Sequence, residues 1–268
     1  MIKTISSLQN PLIKNLMLLQ EKPRERKEQN LIIIEGAREF NLAFRAGFSI
    51  NTILYCKELI AKSFEDSLNS KSFEQAELVE IPVEIYNKIA YRKDHEGVIA
   101  LANPKRPTFR DLKFGSSPLL LVLESVEKPG NLGAILRTAD AAKLDAVIIC
   151  DPQTDIYNPN VIRSSIGCIF TVPVVTSSTV ETISWLRSMK IQMFGTALTA
   201  QSFYHETDFQ GPSAIIMGSE AYGLSREWLD GADRLIKIPM NGEIDSMNVS
   251  TSAAIVVFEA LRQRKFCW

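Results

Sequence analysis

Three polar stretches hold the residues best suited to chemistry. They are "EKPGNLGAILRTADAA" (127–142), "MGSEAYGLS" (217–225) and "IPMNGEIDSMNVS" (238–250). The first carries Asn131, Gly133 and Arg137. If a helix starts near Asn131, Arg137 lies about two turns inside it, beside Ala134, Ile135, Ala139 and Ala141. Two roles suit an arginine there: laying its aliphatic stem over apolar surface, or aiming a planar guanidinium at phosphate or ribose. The second stretch puts Gly218 where a backbone turns or approaches a ligand closely. Its Glu220 stands at the edge of such a pocket, or else caps a short helix over 225–229. The third holds Ser246, Asn248 and Ser250. Each is a good N-cap, and one helix needs only one. The surplus leaves groups for a ligand, and a row of main-chain N–H and C=O groups can read an adenine edge.

The elements needed to position these stretches follow from the apolar pattern. Continuous apolar runs at 119–126, 145–150, 169–175, 191–198, 213–218 and 234–240 predict strands. Helical spacing predicts helices over 132–144, 179–189 and 249–264. Unbroken apolar strands separated by helices imply a mostly parallel sheet covered on both faces. In such sheets ligands sit beyond the carboxyl ends of the strands, and each of the three stretches follows a strand. Residues 1–102 read as a smaller α/β unit. Its strands are expected near 30–36, 50–56, 76–82 and 97–102, with a helix over 37–47 that stops at Gly47. Between the two units, "NPKRPTFRDLKFGSSP" (103–118) carries three prolines and reads as a linker, with a turn of helix at "FRDLKF". The expected division is 1–102, a linker 103–118, and 119–268.

Composition limits the classes of function. The chain has 268 residues, 46% of them hydrophobic and 23% charged, which is an ordinary globular balance. Net charge is -1, so no global basic field points to nucleic acid. The charge is uneven, however. Residues 1–50 hold eight Lys/Arg against five Asp/Glu, and residues 119–268 hold twelve against sixteen. Cys56, Cys150, Cys168 and Cys267 lack metal-ligand spacing, and the only histidines are His95 and His205. No metal site is expected, and the thiols are expected to be reduced, as in cytoplasm. No apolar run has membrane-spanning length, and the N-terminus lacks a signal-peptide core. Also missing are the dinucleotide-binding glycine fingerprint, a Walker A loop, a G-x-S-x-G elbow and H-E-x-x-H. "GNLG" (130–133) matches a KH-type loop only superficially, because it opens a helix in a large α/β sheet.

In this order, "NLGAILRTADA", "MGSEAYGLS" and "IPMNGEIDSMNVSTSAA" resemble the three motifs of the SpoU (TrmH) family of RNA 2′-O-ribose methyltransferases, in the SPOUT superfamily. "NPNVIRSSIGCIFTVPV" (158–174) resembles the segment that the family carries between its first two motifs. The likeness covers essentially all of 119–264. Residues 1–100 resemble the ribosomal-protein-like substrate-binding domain that often precedes this catalytic domain, mainly through "SLQNPLIKNLMLL" and "IIIEGAREF". Two positions depart from the pattern: Met247 stands where Leu is usual, and Ala221 where Gly is usual.

The resemblance implies an α/β fold with a deep trefoil knot at the C-terminal end of the parallel sheet. It implies S-adenosyl-L-methionine as cofactor, held by the backbone around Thr196, Ala197 and Leu198 with Gly218, Ile238 and Met247. The implied catalytic group is Asn131, Arg137, Glu220, Ser246 and Asn248. It also implies a homodimer formed through the C-terminal domain, with Arg137 approaching a site built largely by the other subunit. The implied substrate is RNA, with ribosomal RNA favoured over transfer RNA by the two-domain form. A non-catalytic RNA-binding relative of the same fold is the rival reading. Arg163, in "NVIRSSIG", is expected near substrate. Lys14, Lys22, Arg24, Arg26 and Lys27 are candidates for phosphate contact, or form a solvated face with Glu21, Glu25 and Glu28.

Overall fold

A computed structural model describes residues 3–68, 73–91 and 96–266. His95 and Cys267 lie outside the described residues. The chain forms two compact units. One comprises Met1–Lys105 with Tyr157–Thr171. The other comprises Arg106–Ile156 with Val172–Trp268. The segment after the first motif therefore packs with the N-terminal residues, although sequence position groups it with the C-terminal ones.

The first unit has a five-stranded sheet formed by β1 (Lys3–Thr4), β2 (Ile32–Glu35), β3 (Ile50–Tyr55), β4 (Glu77–Glu80) and β5 (Val98–Ala102). Its order is β1-β4-β3-β5-β2, and β5 runs antiparallel to both of its neighbours. Helix α1 (Pro11–Glu21) starts with Asn10 accepting from Leu12 N–H and with proline at the first turn. It buries Ile13, Leu16 and Leu19 against Leu54, Val79, Ile99 and Leu101, beside α5 (Val83–Ile89). Helices α2 (Pro23–Gln29), α3 (Ala37–Arg45) and α4 (Lys62–Leu68) complete this part.

The second unit has seven strands, all parallel: β6 (Leu119–Glu124), β7 (Ala146–Cys150), β8 (Val174–Ser177), β9 (Gln192–Thr196), β10 (Ser202–Phe203), β11 (Ser213–Met217) and β12 (Arg234–Lys237). Their order is β10-β12-β9-β11-β6-β7-β8. The run at 169–175, expected as one strand, splits. Cys168–Phe170 forms a buried 3₁₀ turn behind Gly167 (φ 85°), and β8 begins only at Val174. Ahead of this turn, α7 (Pro159–Ser164) packs on β2.

Side chains alternate across a strand, so even and odd positions of β6, β7 and β11 serve two cores. Leu120, Val122, Ala146, Ile148, Ala214 and Ile216 meet Ile183 and Leu186 of α8 (Thr179–Ser188) and Trp228 of α9 (Arg226–Gly231). Helices α6 (Pro129–Ala141) and α10 (Val249–Gln263) pack on each other, with α6 against β7 and α10 against β11. The stretch expected as a linker is partly docked: Phe109 stacks on Trp185 at 4.4 Å between centroids, and Phe114 meets the same indole edge-on. A 3₁₀ turn over Phe109–Asp111 stands where a turn of helix was expected, capped reciprocally by Thr108 and Asp111. At the other end of the sheet, Arg264 donates to the carbonyls of Ser117, Pro118, Phe209 and Gly211 and ties the end of α10 to the segments that lead into the interior strands β6 and β11.

Candidate active site

Four neighbouring strands, β12, β9, β11 and β6, end side by side and point the same way. Every polar stretch singled out in the sequence leaves one of those carboxyl ends. The sheet order therefore gathers loops that lie up to 117 residues apart in the chain.

A chain of side-chain hydrogen bonds ties three of these loops together. Asn131, in the first turn of α6, donates from Nδ2 to Glu220 Oε1 at 2.5 Å. Its Oδ1 accepts from Asn248 Nδ2 at 3.1 Å. Asn248 is the N-cap of α10, and its Oδ1 accepts from Ser250 N–H at 2.9 Å and from the Ser250 hydroxyl at 2.6 Å. One residue thus does the capping, and its amide nitrogen reaches across to Asn131. Ser246 does not join: its hydroxyl donates to the adjacent Asp245 at 3.0 Å, and the residue is exposed. Arg137 is exposed on α6 and makes no hydrogen bond or ion pair among the described residues. It follows Asn131 by six residues on the same helix, and among the described residues no contact joins its guanidinium to the Glu220–Asn131–Asn248 chain. An exposed, unpaired guanidinium suits binding of an anionic or charge-developing oxygen.

Of the residues expected to hold a cofactor, Thr196, Ala197, Leu198, Gly218 and Ile238 sit at the ends of β9, β11 and β12, and Met247 directly precedes the N-cap of α10. Thr196 is spent on the fold, its hydroxyl donating to Ile216 C=O at 2.9 Å. Ala197 N–H donates to Ile236 C=O at 3.0 Å. Leu198 is exposed, and Ile238 and Met247 are half-buried. The close approach expected at Gly218 is to the chain itself. A Cβ there would lie 2.1 Å from Gly223 C and 2.4 Å from Leu224 N. Ser219 and Gly223 exchange main-chain hydrogen bonds at 3.0 Å, and Gly223 has φ 69°. This tight loop presents Glu220 outward.

One functional side chain escaped the sequence reading. Glu124, the last residue of β6, is 6% exposed, yet it is a carboxylate. Its Oε2 accepts from Ser225 N–H at 2.8 Å, and its Oε1 accepts from the Thr179 hydroxyl at 3.3 Å. It therefore pins the end of the Glu220 loop and the start of α8. A charge closing an otherwise apolar strand was the available signal.

The expected RNA contacts lie in the first unit. Lys14, Lys22 and Lys27 are exposed, and Arg24 pairs with Glu28 at 2.6 Å. Arg26 is a correction. It is 3% exposed, and its guanidinium donates to Leu19 C=O at 2.5 Å and Gln20 C=O at 3.2 Å. It closes the C-terminus of α1 and is not at the surface to meet a phosphate. Arg163 is exposed on α7, and its guanidinium donates to Asn160 Oδ1 at 2.9 Å. Among the described residues no group of three or more His, Cys, Asp or Glu is placed to hold a metal, and no helix is long and apolar enough to cross a membrane.

Comparison with known proteins shows the family. A sequence profile of the SpoU rRNA Methylase family matches residues 118–258, and one of the MRM3-like substrate binding domain matches 10–100. The chain is 34% identical over 221 residues to the 23S rRNA (guanosine-2′-O-)-methyltransferase RlmB of Ralstonia nicotianae, covering 81% of this chain and 89% of that one. It is 28% identical over 258 residues to the 23S rRNA (guanosine(2553)-2′-O)-methyltransferase RlmP of Bacillus subtilis, covering 96% and 98%. The crystal structure of an AdoMet-bound rRNA methyltransferase from Sinorhizobium meliloti superposes with a TM-score of 0.90 at 28% identity, covering 97% of this chain and 98% of that one.

Proposed function

Because the chain belongs to the SpoU rRNA methylase family, we propose that it moves the methyl group of S-adenosyl-L-methionine onto a ribose 2′-hydroxyl of ribosomal RNA. The observation that carries this reading is the chain Glu220–Asn131–Asn248, which joins three loops at adjacent strand ends and leaves Arg137 unpaired nearby in sequence. The RlmB and RlmP relatives are methyltransferases of the same class, acting on guanosine in 23S rRNA.

The residues present fit the cofactor. Leu198, Ile238 and Met247 offer apolar walls at strand ends, where a planar base can lie. None of the six residues is cationic, which suits a sulfonium. When bound, S-adenosyl-L-methionine supplies an electrophilic methyl on that sulfonium. The protein's own contribution is alignment of the ribose oxygen and stabilisation of the charge that develops there. Arg137 serves the second purpose. A guanidinium is not readily deprotonated, so it orients the oxygen and holds negative charge, while the proton leaves to an RNA phosphate. Asn131 and Asn248 keep Glu220 and the start of α10 in register for this. A threaded C-terminal backbone, a homodimer through the second unit and a cytoplasmic place of work belong to the same reading.

The test is Arg137→Ala. Methyl incorporation into unmodified ribosomal RNA should fall at least a hundredfold, while titration calorimetry shows S-adenosyl-L-methionine binding unchanged. Near-normal turnover by this variant would remove Arg137 from the chemistry. Transfer to tRNA with none to rRNA would move the substrate.

A further inference from the structure

Within the first unit, Arg163 and Tyr91 form a pair that neither the apolar core nor the candidate active site requires. The Arg163 guanidinium lies over the Tyr91 ring, 4.9 Å from its centroid. Even so, Tyr91 remains 49% exposed, and Arg163 is exposed as well. A large aromatic left at the surface beside a cation is unusual for a packing role. Both partners are held from behind. Tyr91 N–H donates to Glu35 Oε2 at 2.9 Å, and Arg163 is fixed by Asn160. The pair walls a cleft whose remaining lining is Gln20, Ile33, Glu35, Pro159 and Ile162. Gln20 is itself anchored, donating from Nε2 to Ile89 C=O at 2.5 Å.

We infer that the Arg163–Tyr91 pair is a stacking platform for an unpaired base of the RNA substrate. This rests on the RNA reading above and extends it to a specific subsite. A preorganised ring and guanidinium give a base two planar surfaces, and stacking on aromatic or guanidinium planes is how proteins hold splayed RNA bases. The amide and carboxylate at the cleft edge are hydrogen-bonding groups of the kind that meet a base edge. The lysines of the first unit supply phosphate attraction without sequence preference.

The probes are unmodified 23S rRNA transcribed in vitro and a short single-stranded RNA, with affinity measured across a salt series. Tyr91→Ala should weaken binding of either RNA about tenfold or more, with the salt slope unchanged because no charge is removed. Tyr91→Phe should restore wild-type affinity, which a role of the hydroxyl as a hydrogen-bonding group would not predict; an unchanged melting midpoint in Tyr91→Ala separates the platform from a folding role. Arg163→Ala should weaken binding and also flatten the salt slope. S-adenosyl-L-methionine affinity and the melting midpoint, measured on the same samples, should stay at wild-type values. If wild type binds RNA and Tyr91→Ala binds it equally well, the platform is refuted and the methyltransferase reading stands. If wild type binds neither RNA, the RNA reading itself fails and the platform falls with it.

Discussion

Asn131 spans three loops with one short amide. It donates to Glu220 and accepts from Asn248, so each of its two polar ends is committed. Gly218 is the other residue on which the site's shape depends. Any Cβ there meets main-chain atoms of Gly223 and Leu224, which cannot swing aside as a flexible side chain would. Gly218→Ala should therefore cost about 2 kcal/mol, within the range for forced overpacking, and should lower the melting midpoint by several degrees. Cofactor affinity measured by calorimetry should fall with it. At this scale the sequence was partly legible. The polar loops after apolar strands pointed to Asn131, Glu220 and Asn248, and the surplus of caps at 246–250 resolved into one cap with a second bond. Arg26 was misread because "PRERKEQ" looks like a solvated charged face, and only the carbonyls of α1 reveal what its guanidinium does. Gly218 was rightly seen as a place of close approach, but the approaching partner is the chain's own turn.

At the scale of elements, the ends of strands and the starts of helices do the positioning. Glu124 joins β6 to the Glu220 loop and to α8 through two hydrogen bonds in a buried setting. Truncating it leaves Ser225 N–H and the Thr179 hydroxyl without their acceptor, at a cost of about 2 kcal/mol. Glu124→Ala should lower both the denaturation midpoint and kcat. Glu124→Gln, which keeps an acceptor for Ser225 N–H and the same shape, should recover most of each. Equal loss in both variants would mean that the charge matters and not the two bonds. The parallel strands were legible from their unbroken apolar runs, since both faces are covered. The two-residue strands β1 and β10 are too short to carry any period. The apolar run at 169–170 was read as strand, yet Gly167 in the left-handed region turns it into a 3₁₀ segment, a backbone choice that hydrophobicity cannot report.

At the scale of the whole molecule, packing decided what the order of residues did not. Residues 157–171 leave the second unit after β7, pack with the first, and return at β8. Sequence position and motif order placed them in 119–268, whereas in the fold they pack with the first unit. The buried thiols give a second property of the whole. Burial pushes Cys150 up to about 12 and Cys56 up to about 11, from 9.0. A thiol raised in the folded state binds its proton more tightly there than when unfolded. Its stabilising contribution is complete below pH 9 and is lost as pH rises from about 9 toward those values. The denaturant midpoint should therefore hold between pH 7 and 8.5 and fall by pH 10.5. Cys150→Ala should make that fall shallower; an unchanged slope would leave Cys150 out of it.

Nucleoside analysis of the product tests the central claim most directly. Purified protein, S-adenosyl-L-methionine carrying a labelled methyl and unmodified 23S rRNA are incubated together, and the RNA is digested to nucleosides. The account predicts label only in a 2′-O-methylated nucleoside, lost when Arg137 is replaced by alanine. Label on a base, or RNA and cofactor both bound with no label transferred, would contradict it.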